Sequence, residues 1–409
     1  MGAGFSLAIK HIGFYDCSYC CTTHTRFFAH MKYGILVLIF CFASISLVFA
    51  QKSSFIRRYV QSFITDTGDI SRPQFIVYPL LAYAPETNWE FGASGLYLYY
   101  ANRDTLNRLS EVVAQGFYTI ENQYGGFLEH ALYSDKNEWF FLGNIKFQSF
   151  PVSYYGIGMA AQLADEQKVE ALQFIVKERV LRKVKNNFYA GLEFEYNRYS
   201  DVVFSKPEQL VLNDDLLIGN DGSSNLGLGL GLLVDNRHNV LNVRNGYFSE
   251  LAILNYSKSL GSDFNFTTLT SDSRYFKSIR KNQILAMQLL GQFTRGSVPF
   301  NQLPQLGGPY LMRGYYQGRF RDNNYLSSQV EYRFLPLPLG FSKRIGAAVF
   351  ASTGTVFSSG EKLELSNFRG AAGAGLRFLL FPKKDIFIRA DYAFTREGGG
   401  FYLYIGEAF

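Results

Sequence analysis

The sequence predicts an all-β protein, a transmembrane antiparallel β-barrel of about sixteen strands. Three observations predict it. From Gln74 to the C-terminus apolar and polar residues alternate with period two, the spacing of strands with one apolar face. The candidate strands number sixteen, an even count, as bacterial outer-membrane barrels require. Aromatic residues make up 17% of the 409-residue chain and charged residues only 18%, with mean hydropathy close to zero, so apolar surface is spread over faces and not gathered into long runs. A soluble sandwich also alternates, but a single chain has no second apolar layer large enough to cover so many aromatic faces. A bilayer covers them, and closure leaves no unpaired edge in lipid.

Taken in order, the first apolar run comparable with a transmembrane helix is 33–50. It follows Met31-Lys32 and ends Leu47-Val48-Phe49-Ala50-Gln51, with Val48 and Ala50 where a signal peptidase reads small residues. Residues 31–50 therefore read as a signal peptide, and residues 1–30 as an upstream extension arising from start-site choice. All four cysteines (Cys17, Cys20, Cys21, Cys41) precede the expected cut. The cluster CSYCC lacks a second half to complete a metal site. Beyond the cut there is no cysteine, which excludes thiol chemistry, and only two histidines, His130 and His238, which leaves no expected metal or cofactor. The 37 basic and 33 acidic residues after position 50 give +4, too mild to point to nucleic acid.

Residues 51–73 place Phe55, Ile56, Tyr59, Val60, Phe63 and Ile64 at helical spacing, a short amphipathic leader on the periplasmic side. The barrel occupies 74–409. Its expected strands are 75–83, 88–100, 110–121, 125–134, 138–149, 168–181, 186–198, 224–235, 247–257, 264–277, 281–295, 325–335, 342–352, 368–380, 385–396 and 399–409. In 186–198, Phe188, Ala190, Leu192, Phe194 and Tyr196 alternate with Tyr189, Gly191, Glu193, Glu195 and Asn197. In 385–396, Ile386, Ile388, Ala390, Tyr392 and Phe394 alternate with Asp385, Phe387, Arg389, Asp391 and Ala393. With a periplasmic amino terminus, 150–167, 199–223, 296–324 and 353–367 become external loops, and the opposite connections are mostly short turns. The chain ends GFYLYIGEAF, with Phe401, Leu403, Ile405 and Phe409 on one face, a face that also includes Glu407.

The chain is organised around LGGPYLMRGYYQGRFRDNNYLSSQVEYRF, from Leu306 to Phe334. Its strand places Ser327, Gln329, Glu331 and Arg333 on the wet face. Ahead of that strand lies a loop of about thirty residues, too rich in aromatics for disorder and expected to fold inward. It carries Arg313 between Met312 and Gly314.

These stretches resemble the BamA/TamA superfamily of outer-membrane proteins, the bacterial surface antigen type. VYPLLAYAPETNWEFGASG resembles its first hairpin and DNRHNVLNVRNGYF (235–248) its mid-barrel periplasmic turn, with Asp235, Arg237, Asn239, Gly246 and Tyr247 as the motif positions. LMRGYYQG resembles its sixth-loop motif, here Met312, Arg313, Gly314 and Tyr315, and GAAVFASTGTVF, GAGLRF and RADYAF its closing strands. The terminal Phe409, with Phe401, Leu403 and Ile405, matches its barrel-assembly signal. The resemblance implies that Arg313 reaches into the lumen and pairs with acids on strands twelve and thirteen. Glu331 stands at the first position; Ser352 occupies the second, where the family has aspartate. His238 replaces the family's acidic turn residue.

The resemblance also implies insertion or translocation of proteins at the outer membrane, through a weakly zipped seam between the first and last strands. Its partners would be outer-membrane lipid and client proteins. Members that do this carry POTRA modules; none is read here, so a separate periplasmic partner is expected. The alternative is a passive pore or structural barrel. A lipid hydrolase would need a nucleophile, a base and an orienting group, and no G-x-S-x-G is present.

Overall fold

A computed structural model describes residues 71–206, 211–212, 215–237, 240, 242–382 and 384–409. The expected extension, the signal peptide and all but the last three residues of the leader lie outside the described residues, as do His238 and Asn239. Sixteen antiparallel strands form the wall. They are β1 Gln74–Ala84, β2 Asn88–Tyr100, β3 Leu109–Thr119, β4 Tyr124–Tyr133, β5 Trp139–Ser149, β6 Gln167–Lys185, β7 Phe188–Phe204 and β8 Ser223–Asp235. The second half comprises β9 Gly246–Tyr256, β10 Phe266–Arg280, β11 Gln283–Gly296, β12 Asn324–Phe334, β13 Ile345–Phe357, β14 Arg369–Phe381, β15 Ile386–Thr395 and β16 Gly398–Ile405. Every strand pairs with its sequence neighbours, and β1 pairs with β16, so the sheet closes.

Closure is uneven. All of β1 runs in register with β2, from Gln74↔Leu98 to Ala84↔Asn88, whereas against β16 the register is carried by Tyr83↔Leu403. The wall has one apolar and one polar face, and the apolar face is the outer one. In β12, Ser327, Gln329, Glu331 and Arg333 are buried inside, while Val330 is exposed outside. Around the circumference Leu192, Leu230, Leu289, Val349, Leu376 and Phe394 form an exposed outer belt, an arrangement stable only where lipid covers it.

The sixteen expected strands are all present. The main departure is length: β7 continues six residues beyond its expected end at 198, pairing out to Val169↔Phe204. The extension is covered by loops, since Tyr154, Val169, Phe204, Val298 and Phe300 share one buried apolar cluster. Long loops therefore gather at one end and short turns at the other, and by that asymmetry the turn end is periplasmic.

The C-terminus departs from the expected single face. Phe401, Leu403 and Ile405 follow the strand, but Gly406 takes φ 91° and ends it. A positive φ is open to glycine at little steric cost. The chain then turns inward, so Glu407 and Phe409 leave the lipid-facing row. Phe409 packs with Val243, Phe276 and Ala286, and its carbonyl accepts from Arg333 Nη2 at 2.9 Å.

Candidate functional site

The site lies where loop 297–323 enters the barrel. Met312, Arg313 and Tyr315 are each 98% buried or more, although all belong to a loop. Gly314 at φ 106° turns the chain against the wall, where a side chain would meet Thr395 Cγ2 at 2.6 Å. This turn aims the guanidinium of Arg313 at two carboxylates: Nη2 donates to Glu331 Oε2 on β12 at 2.6 Å, and Nη1 to Asp391 Oδ2 on β15 at 2.5 Å. The same group lies over the ring of Phe350 on β13, 3.5 Å from its centroid. A planar fork with two donor edges suits such a bridge; an ammonium would serve one acid at a time.

Glu331 is where the sequence placed it. Ser352 is not the second partner: the acid comes from Asp391, two strands farther on. The signal was present in the alternation of β15, which puts Arg389 and Asp391 on the inner face. Ser352 shares the inner face of β13 with Phe350, but a side chain there reaches toward Arg313 as a ring surface and not as an acid.

Each acid is held by more than one cation. Glu331 Oε1 accepts from Arg333 Nε at 2.9 Å and Arg377 Nη2 at 3.1 Å. Asp391 also accepts from Arg377 and Arg389. Glu407 joins through Arg377 Nε at 2.9 Å, which explains a carboxylate in an otherwise apolar terminus. Four arginines against three carboxylates leave this cluster with one formal positive charge. An ion deprived of its partners here would cost several kcal/mol.

Three further residues tie the loop to the two lips of the seam. Gly314 N donates to Tyr402 Oη on β16 at 2.9 Å. Gln317 N donates to Glu86 Oε1 in the β1–β2 turn at 2.7 Å. Arg319 grips Glu397 in the β15–β16 turn with Nε and Nη2, at 2.8 and 2.9 Å. Burial pushes the Glu86 carboxyl up to about 7, against the pull of its backbone donors. Deeper in the same loop Arg321 is fully buried over the ring of Tyr154, 4.9 Å from its centroid, and burial lowers its pKa. None of these seam contacts was read from the sequence, because each joins positions distant in the chain.

At the turn end the periplasmic motif is also a charged knot. Asp235, wholly buried, accepts from Arg237 Nε at 3.0 Å and lies 3.0 Å from Arg108 Nη1. Arg237 covers the ring of Phe248, and Tyr247 N donates to Asn236 Oδ1 at 2.6 Å after Gly246 at φ 118°. Arg244, in the same turn, chelates Asp385 in the β14–β15 turn at 2.7 and 2.8 Å. The turn thus folds across the mouth of the barrel. A cavity of about 340 Å³ along the wall is lined by Glu111, Glu129, Lys177, Arg179 and Glu250. His130 pairs with Glu178 at 3.0 Å across Gly143, away from the loop.

The Omp85 superfamily domain matches residues 126–409. No curated protein matches the sequence. Among solved structures, BamA from Haemophilus ducreyi lacking POTRA domains 1-3 is similar, with TM-score 0.54 and 15% identity over 82% of this chain and 70% of that one. CdiB from Acinetobacter baumannii gives TM-score 0.53 and 10% identity over 81% and 59%. CdiB from Escherichia coli gives 0.52 and 9% over 80% and 62%, so the chain spans about three-fifths of either CdiB. At such identities the likeness is one of fold.

Proposed function

The chain belongs to the Omp85 superfamily of outer-membrane barrels, and on that premise we propose that it inserts or translocates proteins, with the β1–β16 seam as gate and loop 297–323 as latch. The observation that carries this reading is the buried Arg313 bridge to Glu331 and Asp391, beside a seam held in register by a single pair. A loop fixed by buried ion pairs stays in place until something competes for it. A seam with little backbone pairing parts at small cost, and its bared edge can accept a client strand by β-augmentation. The filled lumen speaks against the passive pore, because Met312, Arg313, Tyr315 and Phe320 occupy the space an aqueous channel would need.

Planar-bilayer conductance tests the proposal. The wild type is measured beside Arg313→Ala and beside a seam disulfide made by Tyr83→Cys and Leu403→Cys. Small flickering currents that rise in Arg313→Ala, with cellular function lost in the locked variant, are the expected result. A large steady conductance indifferent to both changes would establish a pore.

A further inference from the structure

The turn end carries a charge pattern that neither the seam nor the loop uses. Three turns, taken with their flanking strand ends as 182–187 (β6–β7), 279–282 (β10–β11) and 335–344 (β12–β13), contain cations and no carboxylate. Arg182 and Lys185 belong to the first, Arg280 and Lys281 to the second, Lys343 and Arg344 to the third. None of these six forms an ion pair among the described residues. Each turn also presents one apolar side chain beside its cations: Val184 is 63% exposed, Ile279 45% and Phe341 82%. By contrast, the β5–β6 loop at the other end has Asp165 and Glu166 and no cation.

Height in the membrane is fixed by aromatic residues. Trp139, Tyr247 and Tyr275 are exposed on the outer wall near the turn end, and such rings gather at the membrane–water interface. Arg182 lies over the Trp139 ring, 5.7 Å from its centroid. The cations therefore sit at headgroup level, with their apolar neighbours at the edge of the acyl layer.

We propose that these three turns bind the anionic phospholipid headgroups of the periplasmic leaflet. Arginine and lysine pair with lipid phosphates while Val184, Ile279 and Phe341 enter the acyl layer beside them. A lipid surface is favoured over a protein partner by the spacing. The apolar residues are single, lie on separate turns and continue the outer belt, so a leaflet meets all three at once. The arc runs from β6 to β13 and leaves the β1–β16 seam clear. The inference rests on the sidedness of the barrel and not on protein handling, so it stands or falls separately from the proposed function.

Trp139 is a built-in reporter, because the chain has two tryptophans and Trp89→Phe leaves it alone. The protein is reconstituted in phosphatidylcholine–phosphatidylglycerol bilayers in which one lipid or the other is dibrominated, and quenching gives the relative occupancy around Trp139. Phosphatidylglycerol is expected to exceed phosphatidylcholine roughly threefold. The preference should fall to about one in Arg182→Gln/Lys185→Gln and in ~1 M salt. Arg280→Gln/Lys281→Gln, remote from Trp139, should keep it. Equal quenching in the wild type overturns the lipid assignment and leaves the turns to an acidic protein. Loss of preference in the remote variant also overturns it, since bulk charge would then be the cause.

Discussion

Removing the Arg313 side chain as Arg313→Ala tests whether the loop is latched. The change deletes two charge-assisted hydrogen bonds, to Glu331 and Asp391, and the stacking on Phe350. Such bonds contribute about 1.5–3 kcal/mol each, and an acid stranded in a dry site costs more. Neither acid is stranded here. Glu331 keeps Arg333 and Arg377, Asp391 keeps Arg377 and Arg389, and the cluster goes from one net positive charge to none. The loss to the docked loop is then about 3–6 kcal/mol, which raises its undocked population roughly 100- to 20,000-fold, while the wall stays folded. Limited proteolysis across 307–319 reads the first effect, and the heat-induced gel shift of the folded barrel reads the second. Cleavage at the wild-type rate would refute the latch. Glu331→Gln supplies the contrast, because it leaves four arginines against two acids. It should lower the unfolding temperature more than Arg313→Ala does.

Three other outcomes follow from the same geometry. Gly375→Ala alters no charge, yet its Cβ would lie 2.0 Å from Asp391 Oδ1 and 2.8 Å from Arg377 Nη1; overpacking of about 1–3 kcal/mol should expose the loop to protease, and an unaffected loop counts against the role of Asp391. Burial raises the Glu86 carboxyl to about 7 while the Gln317 N–H of the loop lowers it, so this bond favours the ionised carboxylate and weakens as pH falls through about 7. A nitroxide at position 317 should gain mobility as pH falls from about 8 to 6 in the wild type and not in Glu86→Gln. In a double-mutant cycle for loop protection, Arg313→Ala and Arg319→Ala should couple by more than about 0.5 kcal/mol; strict additivity would mean that the loop is held as two separate segments.

The wall was legible because its cause is local. A two-residue period marks each strand wherever one face meets lipid, and every expected strand is present. Glu331 could be placed by the same rule. Asp391 could not be matched to Arg313, although its face was known, because alternation gives the side of the wall and not the partner across the lumen. Position 352 failed for a related reason. The resemblance supplied a strand number for the second acid, but a guanidinium in a closed barrel can reach any inward carboxylate at its height. Glu407 and Phe409 were misplaced because a glycine with positive φ breaks the period on which the reading depended. Glu86, Arg319 and Glu397 join turns and loop, where no period exists.

Moving the second acid from β13 to β15 changes what the latch is attached to. Asp391 lies in register with Tyr402 of β16, and the Tyr402 hydroxyl accepts the N–H of Gly314, the residue after Arg313. The loop tip is thus fastened to the penultimate strand by charge and to the last strand by a neutral bond. Farther along the loop, Gln317 and Arg319 hold the turns on either side of the seam. An acid on β13 would fix the loop without involving the seam strands. With the acid on β15, the charged anchor and the Gly314–Tyr402 bond hold one loop tip to the last two strands. On the proposed function, displacement of the loop and opening of the seam are coupled through that tip, and a client that competes for either end of the linkage acts on both.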